Sequence, residues 1–128
     1  MPALDVEVIG AALDGAEVRR LCALALEAAG IADGHVAVSF VDEARIAELN
    51  AAHRDRAAPT DVLSFPVDET GASAGPRELG DVVICPARTE DLSEAVVHGV
   101  LHLAGMDHEA DDGEMLALQD EIMRRAGR

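Results

Sequence analysis

Three of the five histidines of this chain lie within residues 98–108 (HGVLHLAGMDH), and their spacing dictates the local backbone. His98 and His102 are four apart, which on a helix puts both imidazoles on one stripe, about 40° apart around the axis. Gly105 tolerates the left-handed conformation that ends a helix sharply. The segment therefore reads as a helix, a stop and a turn that returns His108 toward the other two. Three neutral imidazoles suit a divalent ion of borderline softness, Zn²⁺ first. Three protein ligands leave a fourth tetrahedral position to water, as in catalytic sites. A fourth ligand from Asp107, Asp61 or Asp81 would instead make the ion structural.

The pattern His-x₃-His-x₅-His, with glycine three residues after the second histidine, copies the ligand spacing of the metzincin proteases. Those enzymes carry Glu directly after the first histidine as general base. Here that position is Gly99, which takes no proton. The substitution argues against a peptidase of that type and leaves the metal cradle intact.

Around this helix the chain alternates between strand and helix signals. Residues 4–9 alternate apolar and polar and read as a first strand. Asp14 and Glu17 form a capping-box pattern opening a helix with Val18, Leu21, Cys22 and Ala25 inward, stopped by Gly30. Residues 35–41 read as a second strand, with His35 at its solvent-facing start. Asp42 caps a helix with Ile46, Leu49, Asn50 and His53 on one face. A third strand runs over 61–65, ended by Pro66, and a fourth over 80–85, ended by Pro86; the Gly/Ala/Ser stretch 70–76 is a loop and the expected mobile segment. Thr89 or Asp91 starts the histidine helix. Asp111 and Glu114 form another box before a last helix carrying Met115, Leu118, Gln119, Ile122 and Met123. No repeat or linker divides residues 1–128, and strict βαβ repetition is absent. The expected fold is α+β, a single domain with a small mixed sheet covered by helices.

Composition narrows function further. The 128 residues carry ten basic and twenty-five acidic side chains, a net charge of −15, and every basic residue is Arg. Such a chain repels polyanions at long range, so a role on nucleic acid requires a local Arg, a metal or a protein partner. Two Phe and neither Tyr nor Trp argue against an aromatic platform that stacks single-stranded bases without sequence preference. Residues 1–10 lack the basic flank and apolar run of a signal peptide, no apolar stretch approaches membrane-spanning length, and Cys22 and Cys85 stand apart without a pairing pattern. Cys22 reads as core, and Cys85 ends a strand without an activating partner. The cytoplasm is the expected compartment.

A second constellation, residues 50–66 (NAAHRDRAAPTDVLSFP), joins helix, loop and strand. Arg54 sits where the helix ends. There it either stabilises the helix C-terminus or clamps an anion through its planar, bidentate guanidinium.

Three blocks in order, Asn50…Arg54…Pro59-Thr60-Asp61-Val62-Leu63-Ser64-Phe65-Pro66, then residues 79–84 (LGDVVI), then 98–108, make the chain similar to the YbeY family of bacterial zinc-dependent endoribonucleases, or rRNA maturation factors. The resemblance runs from about Val38 to the last helix. It implies an α+β fold with a mixed sheet, one zinc ion on His98, His102 and His108, and Arg54 lining the cleft and taking part in RNA cleavage. It further implies single-stranded RNA as substrate, in small-subunit rRNA maturation and ribosome quality control, alongside ribosomal small-subunit proteins and an assembly GTPase. Two features depart from the family pattern. The segment 87–97 is shorter than usual, which alters one wall of the substrate cleft, and Met106 stands where the family often has an aromatic. A non-catalytic zinc-stabilised assembly factor and a peptidase-like hydrolase on the same cradle are the alternatives.

Overall fold

Alternating apolar residues build the strands and 3.6-residue stripes build the helices. A computed structural model describes residues 4–54, 60–67, 78–108 and 110–127, with the side chains of His53 and Arg54 excluded. Strand β1 (Leu4–Ile9) is followed by α1 (Gly15–Ala28), β2 (Gly34–Phe40), α2 (Glu43–Arg54), β3 (Val62–Pro66) and β4 (Glu78–Ile84). A single 3₁₀ turn (Pro86–Arg88) then leads into α3 (Leu92–Leu103) and α4 (Glu114–Arg125). The sheet order is β1-β2-β4-β3, with β1, β2 and β4 parallel and β3 antiparallel to β4. The expected mixed sheet and α+β class are therefore present. The 70–76 loop lies outside the described residues.

The two faces of the sheet are covered unequally. On one face Val36, Val38, Val82 and Ile84 pack under α1, α3 and α4, with Leu21, Leu26, Val97, Leu101 and Ile122 among the buried aliphatics. On the other, α2 lays Ile46 over Leu63, Val83 and Cys85. Alternation along β3 and β4 sends neighbouring residues to opposite cores. Both cysteines are fully buried; burial alone pushes the Cys22 thiol up to about 12, so it is an inert core residue.

Helix ends match the sequence unevenly. Gly30, at φ +82°, ends α1, with the Gly30 amide donating to the Glu27 carbonyl (3.0 Å) and the Ile31 amide to that of Leu26 (2.8 Å). This is a Schellman stop. Asp42 accepts the Arg45 amide at 2.8 Å, and Asp91, rather than Thr89, caps α3 through the Glu94 amide at 3.1 Å. The box at Asp14 does not form: its side chain makes no cap bond, and Glu17 is instead clamped by two bonds from Arg20. At α4 the formal cap is Gly113, while Asp111 accepts the Gly113 and Met115 amides and Glu114 reaches back to the Asp112 amide. Strand β4 starts two residues before the expected Gly80, because a register shift opposite His35/Val36 buries both Leu79 and Gly80 and breaks the alternation. That shift places Glu78 beside His35. His35 is not simply solvent-facing: its Nδ1 lies 2.6 Å from Glu78 Oε1, with Asp5 and Glu7 close by. The Glu78 hydrogen bond, opposed by burial and helped by the charges of Glu78, Asp5 and Glu7, raises its pKa above the ordinary imidazole value.

Helix α3 lies deep against the sheet at Gly99. A Cβ there would overlap Cγ1 of Val82 and come within 3.3 Å of the Ser64 hydroxyl, while Val82 is fully buried and stiff at χ1. Overpacking of this kind costs about 1–3 kcal/mol, more than the ~1 kcal/mol that Ala gains over Gly in a helix. Gly99→Ala is expected to lower the urea-unfolding free energy by about 1–2 kcal/mol, and adding Val82→Ala should return part of that loss. Strictly additive losses in the double variant would contradict the close approach.

Candidate metal centre

The last two turns of α3 carry His98 and His102, both half-buried. Gly105, at φ +94°, stops the helix as Gly30 stops α1: the Gly105 amide donates to the His102 carbonyl (3.0 Å) and the Met106 amide to that of Leu101 (3.1 Å). The chain then turns on the Asp107 carbonyl, which accepts the Ala110 and Asp111 amides, both at 3.1 Å. This brings His108 back over the helix end. The three ring centroids lie 4.7, 5.1 and 5.3 Å apart, and one nitrogen from each ring falls within 4.8 Å of the other two.

Hydrogen bonds orient two of the rings. Nδ1 of His102 lies 3.0 Å from the Met106 carbonyl oxygen, which can only accept, so the proton sits on Nδ1 and the Nε2 lone pair is free. Nδ1 of His98 donates to Oε1 of Gln119 at 2.8 Å, which frees its Nε2 in the same way. The two Nε2 atoms face each other at 3.2 Å. Two lone pairs at that separation repel unless a cation lies between them. Tetrahedral Zn²⁺ with Zn–N near 2.0–2.1 Å sets ligand nitrogens about 3.3 Å apart, so the donor set fits such an ion. Burial lowers the His102 pKa, with further lowering from the neighbouring His98 and His108, against raising contributions from the Met106 carbonyl and Asp107. A ring that stays neutral is the form a metal takes.

The cradle lines a cleft of about 730 Å³ together with Thr60, Asp61, Val62 and Ser64. The Ser64 hydroxyl donates to the Gly99 carbonyl at 2.9 Å, tying β3 to α3 beside the cradle. A second hollow of about 670 Å³ continues past Asp61, Val62 and His98 toward Arg88 and Leu116.

Of the carboxylates considered as a fourth ligand, none joins the histidines among the described residues. Asp61 and Asp107 line the cleft, with Asp61 Oδ1 held by the Val62 amide and the Thr60 hydroxyl. Asp81 lines a separate hollow with Val41, Arg45 and Leu49 on the α2 side of the sheet. Arg54 ends α2, and its side chain, like that of His53, lies outside the described residues. Gln119 is the functional residue that pattern reading passed over. A polar side chain on the apolar stripe of α4, 7% exposed, was its signal.

A family model described as "Endoribonuclease YbeY" matches residues 13–127. The protein of that name from Macrococcus caseolyticus is 40% identical, over 87% of this chain and 84% of its own length. The one from Rubrobacter xylanophilus is 41% identical, over 89% of this chain and 86% of its own length. The solution structure of TM1509 from Thermotoga maritima superposes with a TM-score of 0.57 at 29% identity, covering 94% of this chain and 88% of that one. With the match spanning nearly the whole chain, and with the histidine cradle built on the helix and turn its spacing called for, this chain belongs to the endoribonuclease YbeY family.

Proposed function

We propose that residues 1–128 act as one domain, a zinc-dependent endoribonuclease that cuts single-stranded RNA in the cytoplasm during small-subunit rRNA maturation and ribosome quality control. The observation that carries this reading is the convergence of His98, His102 and His108 on one point in the lining of an open cleft. A divalent ion held there supplies Lewis acidity, lowering the pKa of a coordinated water toward neutrality and drawing charge from a phosphoryl oxygen.

The chain's own residues do the rest. Met106 and Gln119 fix the tautomers of His102 and His98 so that both rings present a lone pair. Arg54 is the proposed catalytic cation that offsets charge building on the phosphate, a role supported by the family resemblance over residues 50–66. Gly99 faces the sheet at Val82, so a general base at that position, as a peptidase would require, has no room. The net charge of −15 opposes capture of bare RNA, which favours delivery by ribosomal small-subunit proteins and an assembly GTPase. Among the described residues no helix is long and apolar enough to cross a membrane.

Metal analysis of the purified chain, paired with cleavage of an rRNA precursor, tests the reading. One zinc per chain is expected in the wild type, with zinc and cleavage both lost in His102→Ala; full cleavage by the metal-free variant would overturn it. Product ends assign the nucleophile, since a 2′,3′-cyclic phosphate means that the RNA's own 2′-hydroxyl attacks.

Gln119 gives a second handle on the cradle. Gln119→Leu keeps the buried stripe apolar and removes the His98 acceptor. It is expected to weaken zinc binding about 10–100-fold in competition with a chelating dye, while the metal-free protein melts as before. Unchanged zinc affinity would mean that Gln119 serves packing alone.

A further inference from the structure

The second hollow of the cleft has a composition that the metal centre does not use. It begins at His98 and runs along the first half of α3, past Ala95 and Glu94, to Arg88, Thr89 and Leu116. Arg88 is the only Arg among the described residues lining either part of the cleft. The Arg88 backbone is rigidly placed: its amide and the Thr89 hydroxyl both donate to the carbonyl of Cys85, at 3.0 and 2.7 Å, and Cys85 is fully buried. The short connection through the 3₁₀ turn to α3 is what sets Arg88 on this wall.

Among the described residues the Arg88 side chain is held by one partner. Its Nε donates to Glu43 Oε2 at 2.8 Å, and both side chains are about half exposed, 49% and 47%. An exposed pair of this kind adds little stability, and it uses Nε while the Nη groups bond no described residue. A phosphate that accepts two parallel N–H bonds from the guanidinium is the stronger competitor. Beside it Leu116, 45% exposed, is one of three large aliphatic side chains so exposed among the described residues, and it is the one that lies in this cleft.

We propose that Arg88 and Leu116 form a nucleotide subsite flanking the cleaved bond. Arg88 exchanges the Glu43 carboxylate for a phosphate of the RNA strand, and Leu116 offers apolar surface to the adjoining base. The subsite rests on the ribonuclease reading and adds to it a direction along which the strand leaves the metal centre. Asp61, Glu90, Asp91 and Glu94 share the cleft, so the strand is held there by one guanidinium against an acidic background.

The zinc-loaded full chain is tested with a labelled single-stranded RNA, measuring KM from initial rates and Kd by stopped-flow anisotropy before turnover, across a salt series. Arg88→Ala is expected to raise KM and Kd about fivefold and to reduce the salt slope by roughly 0.7, the value for one phosphate contact on a single strand. Glu43→Gln is expected to lower both constants by releasing the guanidinium. Leu116→Ser should raise Kd roughly threefold, less than the about fivefold or more that loss of an aromatic stack costs, because leucine offers apolar contact without a ring. Arg125→Ala, which removes the same charge from an exposed i,i+4 pair with Glu121, controls for bulk electrostatics and should leave both constants unchanged. If Arg88→Ala matches wild type, or Arg125→Ala weakens binding as much, the subsite is overturned while the ribonuclease reading stands. A wild type that cuts RNA neither free nor within small-subunit precursor particles overturns that reading, and the subsite falls with it.

Discussion

The depth at which α3 sits on the sheet governs the architecture around it. Gly99 lets the helix approach Val82 until no side chain fits between them, and the Ser64 hydroxyl bonds to the carbonyl of that same glycine. The helix is buried along most of its length, with Val96, Val97, Val100 and Leu101 shut off from solvent. Its remaining stripe, His98 and His102, opens into the cleft beside β3. A helix held from three sides cannot roll. The imidazoles it carries are therefore directed by the core rather than by their own flexible torsions.

Given that fixed helix, the cradle is assembled by hydrogen bonds that act on the far nitrogen of each ring. The Met106 carbonyl is available to His102 because Gly105 reverses the chain immediately after the helix. Gln119 is available to His98 because α4 packs back across α3. Each contact turns a lone pair inward, and the two inward nitrogens approach to 3.2 Å. Their mutual repulsion is a cost that the surrounding fold sustains, which is the sense in which the site is prepared for a cation. The stop glycine thus serves both backbone and chemistry.

Much of this was legible from residue order. Helix spacing placed His98 and His102 together, Gly105 announced the turn, alternation located the first strand, and short apolar runs located the other three to within two residues, because local geometry decides those features. What escaped were contacts between elements distant in sequence. Gln119 lies twenty-one residues from His98, and only the packing of α4 on α3 joins them. The 3₁₀ turn and the position of Arg88 depend on how Cys85 is buried. The failed box at Asp14 has a similar origin: Glu17 had a stronger partner one turn away in Arg20, whose guanidinium also reaches the Ala126 carbonyl at the end of α4. Glu78 was missed because a bulge in β4 violates the two-residue period on which strand boundaries are read. The cleavage role of Arg54 came from family resemblance, since its place at the helix end left open a helix-terminal charge or an anion clamp.

The central claim is that three imidazoles, and no fourth side chain, hold the ion. X-ray absorption at the zinc edge of the loaded protein in solution reads the coordination shell directly. Three histidine nitrogens at about 2.0–2.1 Å are expected, with one light oxygen donor from solvent completing the shell. A shell filled by four protein ligands, with a bound carboxylate in place of that solvent oxygen, would contradict that claim.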